Sequence, residues 1–145
     1  MAKYDFSEAE RQAVINVHGT KCYICNILLD LSTFEVDHVI PESLQEDPSM
    51  LKQVTQQLGL PSGFSLNSAE NWLPACRHCN GIKSSGIWLP SLLIQLILQR
   101  TMSKAAKVRD VTSKLVSSQT LLKAVSAIKK AASIITRAVG EIASF

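Results

Sequence analysis

The sequence predicts an α+β domain followed by a long helical region. Three observations carry this. Two Cys-x-x-Cys pairs stand at Cys22/Cys25 and Cys76/Cys79. Two short strand-like runs lie near them, at residues 34–37 and 71–75. In the last third of the chain, apolar residues recur in steps of three and four. A chain of 145 residues suffices for one domain with an appended part. Residues 1–88 should form that domain, and residues 89–145 a basic amphipathic helical tail.

Ser7, with Glu10 three residues on, reads as a capping box. A helix should run from there to about Val17 and end at Gly19, with Ala13, Val14 and Val17 inward. His18 would sit at its C-terminal end, where a cationic ring suits the dipole. The segment 21–26 is then a cysteine knuckle. Phe34 to Asp37 alternates apolar and acidic, which reads as a strand delivering Asp37 and His38 to its end; Pro41 closes it. Asp47-Pro48 should cap and start a second helix, with Met50, Leu51, Val54 and Leu58 on its apolar face and Gly59 after it. Asn71 to Ala75 should be the second strand, with Pro74 marking an edge. A helix should then carry Asn80 and Lys83 to about Ser85. In the tail, Pro90 can start a helix bearing Leu92, Leu93, Leu96 and Ile97. A second stripe runs through Val108, Val111, Leu115, Leu122, Val125, Ile128, Ala132, Ile135, Val139 and Ile142. Ser118 interrupts its spacing, and Gly140 is a point of fraying. The spacing is close to a heptad seam.

Four cysteines can make two disulfides or hold one metal. The two-residue spacing within each pair favours one Zn²⁺ bound by Cys22, Cys25, Cys76 and Cys79. Four thiolates leave no open position, so such a zinc is structural. The start, MAKYDFSEAERQ, has acidic residues and no apolar run, so no secretory signal is expected. The most apolar stretch, residues 87–98, falls short of the ~20 residues a bilayer span needs. The expectation is a cytoplasmic, reducing setting, with export by another route left open.

The net charge of +3 hides an asymmetry. Residues 1–99 hold six basic and ten acidic residues, a net −4. Residues 100–145 hold nine basic and two acidic residues, a net +7. A basic tail beside an acidic domain fits a polyanionic partner, and equally a solvated lysine-rich helix face.

Beyond zinc ligands, the chain carries Asp37-His38, Asn71, and the run Cys76-x-x-Cys79-Asn80-x-x-Lys83. That order, from Cys22 to Ser85, resembles the zinc-containing HNH endonucleases. Asn80 stands where the family name has its second histidine, a variant that also occurs in the family. The resemblance implies a ββα-metal core and hydrolysis of DNA phosphodiester bonds, with RNA left open as a substrate. It implies His38 as general base, and Asp37 and Asn80 as ligands of a catalytic Mg²⁺ or Mn²⁺. Asn71 would fix the loop bearing the histidine from behind, its bland alternative being a turn cap. Water would attack phosphorus in line, giving a 5′-phosphate and a 3′-hydroxyl. Lys83, Arg77 and His78 are candidate nucleic-acid contacts, although a plain surface lysine fits Lys83 almost as well. Glu35 is a weaker candidate metal ligand on the same strand face as Asp37.

Two other readings compete. A non-catalytic zinc-binding nucleic-acid module would keep the cysteines but would not need Asp37, His38 and Asn80 together. Alternatively the tail is the working part, as an oligomerisation helix, a docking site for a partner protein, or a membrane-active segment. Self-association through the tail is the favoured role for that region.

Overall fold

The computed structural model describes residues 3–143, with side chains throughout except at residues 121, 122, 125, 129 and 143. Helix α1 (Glu8–His18) begins at the expected cap. The Ser7 hydroxyl accepts from Glu10 N at 3.1 Å, and the Glu10 carboxylate accepts from Ser7 N at 2.9 Å. Two donors that helix geometry leaves open are thus satisfied. Gly19 ends the helix at φ 95°, where a Cβ would be strained. Ala9, Ala13, Val14 and Ile15 form the buried face. Val17, expected there, is half-buried. His18 is not the cation expected at that end. Burial, helped by the nearby Lys104 charge, lowers its pKa to about 4.

Strands β1 (Glu35–His38) and β2 (Trp72–Ala75) form a two-stranded antiparallel sheet. Glu35 lies opposite Ala75, Val36 opposite Pro74, Asp37 opposite Leu73 and His38 opposite Trp72. Pro74 has no N–H to give, which a two-stranded sheet tolerates. Its carbonyl accepts from Tyr23 N at 3.0 Å and so ties the first cysteine loop to β2. Asn71 lies in a 3-10 turn, Ala69–Asn71, just before β2 rather than within it.

Between the strands, a 3-10 turn (Glu42–Glu46) leads into α2 (Pro48–Gln57). Asp47 caps α2 by accepting from Met50 N at 3.1 Å, and Pro48 takes the first turn. Val54 and Leu58 face the core, while Met50 is exposed. With Val39, Ile40, Leu66, Leu73 and Leu98 they make one buried cluster. Each such side chain contributes roughly 1.5–3 kcal/mol by leaving water. Val39 and Ile40 directly follow His38, so the core anchors the segment that must hold that histidine.

Helix α3 (Arg77–Ser85) starts at Cys76, whose sulfur accepts from Cys79 N at 3.4 Å. Helix α4 (Leu92–Ala143) is continuous over 52 residues. It passes through Ser118 and Gly140 without a break. A glycine inside a helix costs only about 1 kcal/mol relative to alanine, little against so long a run.

The chain divides into two compact units, Met1–Thr112 and Ser113–Phe145. The first extends past the boundary near residue 89 expected from composition. The reason is packing: Leu98, Thr101, Ala105 and Val108 of α4 are buried in it. Arg109 Nη1 also donates to Glu70 Oε1 at 2.7 Å. The second unit, taken by itself, is helical to Ala143. Of the expected stripe, Ile128, Ile135, Val139 and Ile142 are exposed there. Leu122 and Val125 fall outside the described side chains. Among the described residues, no helix is long and apolar enough to cross a membrane. The architecture is therefore mixed: helices, one small two-stranded sheet and a cysteine cluster.

Candidate functional site

The two Cys-x-x-Cys pairs meet. The Sγ atoms of Cys22, Cys25, Cys76 and Cys79 all lie within 4.8 Å of one another. Cys25 and Cys76 are 3.9 Å apart. A tetrahedral zinc with ~2.3 Å Zn–S bonds sets its sulfurs roughly 3.8 Å apart. None of the four is in a disulfide. The first loop closes through Asn26 N donating to Cys22 O and Cys22 N donating to Ile27 O, both at 2.9 Å, with Asn26 at φ 64°. The second pair is held by the β2–α3 junction.

Cys22 and Cys79 differ sharply in acidity. Burial works against a Cys22 thiolate, but backbone N–H groups of Cys25, Cys76 and Ile24 outweigh it and bring its pKa down to about 7. Burial and the neighbouring sulfurs push Cys79 up to about 12. Four thiolates so close cannot coexist unaided; a bound dication stabilises them together. The cluster therefore fits a structural metal such as zinc.

Beside β1 opens a cleft of about 1260 Å³. Glu35, Asp37, His38, Arg77, Asn80 and Lys83 all contribute to its lining. Glu35 and Asp37 alternate to one face of the strand, and α3 lies against that face. Asn80 Nδ2 donates to Glu35 Oε2, and Arg77 Nε pairs with Glu35 Oε1 at 3.3 Å. One turn on, Lys83 Nζ reaches Asp37 Oδ1 at 3.1 Å and Oδ2 at 3.0 Å, and donates to the His38 carbonyl. Asp37 is 6% exposed, and its Oδ2 also accepts from the Tyr23 hydroxyl at 2.5 Å. Burial and the Asp37 charge raise the Tyr23 pKa, which keeps that hydroxyl a donor.

One expectation changes here. Lys83 is turned inward to Asp37 and His38, not outward to a phosphate, because a nearly buried carboxylate needs a cation. Asp37 and Asn80, the expected ligands of a second metal, both line the cleft. Among the described residues, the group of His, Cys, Asp and Glu close enough to hold an ion is the four cysteines. Arg77 and His78, at the start of α3, are exposed and open to a ligand.

Asn71 is fully buried. Its Oδ1 accepts from Ile40 N at 2.8 Å, and its Nδ2 donates to Ile40 O and Leu66 O, both at 3.0 Å. Its own carbonyl accepts from Val39 N at 2.8 Å. Thus Asn71 fixes the backbone of the two residues that follow His38. That matters because the chain bends there, which lets adjacent Asp37 and His38 serve one cleft.

His38 is largely shielded. Its Nε2 lies 2.7 Å from Asn67 Oδ1 and 3.4 Å from Glu42 Oε2. The rings of Tyr4 and Phe6 stand against it, with centroids at 6.2 and 5.4 Å. Burial lowers its pKa, with the Lys83 charge acting the same way; Asn67, Glu42 and Asp37 pull it back up. At neutral pH it is therefore mainly a neutral imidazole, able to accept a proton. Nothing in the sequence marks Asn67, Glu42 or Tyr4 for this role, and Tyr23 hardly at all. The one available signal was the position of Tyr23 between two cysteines.

The chain matches no protein-family model, no curated protein and no solved structure.

Proposed function

We propose that this chain is an HNH-class endonuclease that hydrolyses DNA phosphodiester bonds, with His38 as general base and a zinc held by the four cysteines as a structural clamp. The observation that carries the reading is the Asn71 lock on Ile40 and Val39. It holds a neutral histidine at a strand end, on an open cleft, against a helix bearing Asn80. A plain zinc knuckle needs none of this. On this reading the strand pair and α3 are the ββα core that the sequence resemblance implies.

The residues divide the work. His38 takes a proton from water, and the water oxygen attacks phosphorus as the bond to the 3′ oxygen breaks. The rings of Tyr4 and Phe6, themselves packed on Trp72, stand against the imidazole and restrict its turning. Asp37, Asn80 and Glu35 offer hard oxygens of the kind that suits Mg²⁺ or Mn²⁺. Such an ion, if held by Asp37 and Asn80, would offset charge on the phosphate and the departing oxygen. Lys83 must then share or release Asp37. Exposed Arg77 and His78 are placed to meet the nucleic-acid backbone, which positions a strand without reading its sequence.

A second reading has its own observation. Asp37 is already neutralised by Lys83 and hydrogen-bonded by Tyr23, as suits a non-catalytic zinc-held binding module. A supercoiled-plasmid assay with Mg²⁺, Mn²⁺ or chelator separates the two. Nicking that needs the metal and falls ~10²- to 10⁴-fold in a folded His38→Ala variant supports the enzyme. DNA retention without cleavage under any metal supports the module.

A further inference from the structure

The proposed chemistry needs one nitrogen of His38 bare. A neutral imidazole keeps one N–H and one lone pair, and its neighbours decide which nitrogen has which. Around Nε2 stand two acceptors: Asn67 Oδ1 at 2.7 Å and Glu42 Oε2 at 3.4 Å. The carboxylate is anchored, because Tyr4 N donates to its two oxygens at 3.1 and 3.0 Å. Tyr4 is anchored in turn, its hydroxyl donating to the capping Glu10 at 2.7 Å. Reversing the Asn67 amide would turn the bare nitrogen toward the Glu42 anion. The His38 and Glu42 side chains are only 12% and 13% exposed, so little water would screen that repulsion.

We propose that Asn67 and Glu42 are positioning residues that hold His38 as its Nε2–H tautomer and leave Nδ1 to take the proton. The inference rests on the nuclease reading. As water gives its proton to Nδ1, its oxygen bonds to phosphorus, the bond to the 3′ oxygen breaks, and that oxygen is protonated from solvent. The ring becomes a cation, and Glu42 stabilises it while Asn67 keeps its direction. Both act through the His38 ring. The N-terminal segment belongs to the site through Tyr4, although its sequence has no chemical signature.

The test uses the full zinc-loaded chain. Long-range proton–nitrogen NMR of the His38 ring at pH 8 should find the proton on Nε2 and the lone pair on Nδ1. Asn67→Ala should mix the tautomers and lower kcat roughly 10- to 100-fold with KM unchanged. Asn67→Asp, which keeps an acceptor in place, should keep Nε2 protonated and recover most of kcat. Zinc content and melting check that each variant is folded, and Asn67→Leu replaces the alanine variant if that one is not. A proton on Nδ1 in the wild type overturns the proposal, as does an unchanged tautomer in folded Asn67→Ala. If the wild type cleaves no DNA, the nuclease reading falls and Nδ1 loses its role, while the NMR arm still decides whether Asn67 sets the tautomer.

Discussion

Tyr23 donates its hydroxyl to Asp37 Oδ2 at 2.5 Å from a position between two cysteines of the metal cluster. The cysteine cluster and the cleft are therefore tied together through one residue. The same residue gives its backbone N–H to Pro74 of β2. Removing the hydroxyl alone takes one donor from a nearly buried carboxylate and leaves the sulfurs untouched. Hydrogen bonds to charged groups contribute about 1.5–3 kcal/mol. Tyr23→Phe should lose that much stability in a denaturant titration, with metal content unchanged. An unchanged midpoint would show that Lys83 alone satisfies Asp37.

The cluster itself should hold one zinc per chain. Chelation removes the metal, and Cys76→Ser removes a ligand that also caps α3. Since metal-binding free energy is folding free energy in so small a domain, either change should abolish the cooperative melting transition. Elemental analysis and a thermal melt decide it; zinc-free protein with an unaltered melt refutes the clamp.

Asn71→Ala strips partners from Ile40 N, Ile40 O and Leu66 O, all in the core. Each buried group left unsatisfied costs about 1–3 kcal/mol, so a loss of at least ~3 kcal/mol is expected. The loss should be visible as a lowered denaturant midpoint and as faster amide exchange at Val39 and Ile40. A turn cap would cost only about 1 kcal/mol, so the size of the effect distinguishes the two roles.

What could be read from the sequence was what is local. The Ser7–Glu10 box and the Asp47-Pro48 start depend on neighbours three residues apart, and both are present. The cysteine spacing announced a metal cluster, and the four sulfurs do meet. What could not be read was long-range. Asn67 is 29 residues from His38, and Glu42 is 38 from Tyr4. No periodicity marks such pairs. Lys83 shares a helix face with Asn80, but only the sheet beneath shows that this face meets Asp37. The dipole argument for His18 failed because desolvation, with the Lys104 charge nearby, outweighs the dipole.

His18 gives the fold a pH dependence. In the unfolded chain the ring takes a proton near its ordinary pKa of 6.5; in the folded chain it does so only near 4. Between those values the unfolded state binds more protons. Stability should thus be flat above about pH 6.5 and fall as pH drops toward 4, by on the order of 1–2 kcal/mol after solvent screening. Cysteine protonation also weakens the metal site in acid, so the comparison is with zinc-loaded His18→Gln. That variant should lose part of the slope between pH 6.5 and 4. Parallel curves for the two proteins would assign all acid sensitivity to the cysteines.

The last prediction concerns residues 113–145. Ile128, Ile134, Ile135, Val139 and Ile142 are each at least 60% exposed. An isolated helix is marginal in water, and helical stability comes chiefly from packing one face. That face therefore calls for a partner. Its steps of three and four suit helix–helix pairing, so we expect self-association. Thr101, Ala105 and Val108 belong to the core of the first unit and must be kept. The cut belongs after Thr112. The shortened chain should keep its metal and its melt, and light scattering should find it monomeric where the full chain is oligomeric. The lysines lost with the tail should also lower DNA binding and flatten its salt dependence. A full chain that is monomeric alone but sediments with anionic vesicles would make the tail an interfacial helix and end the self-association hypothesis.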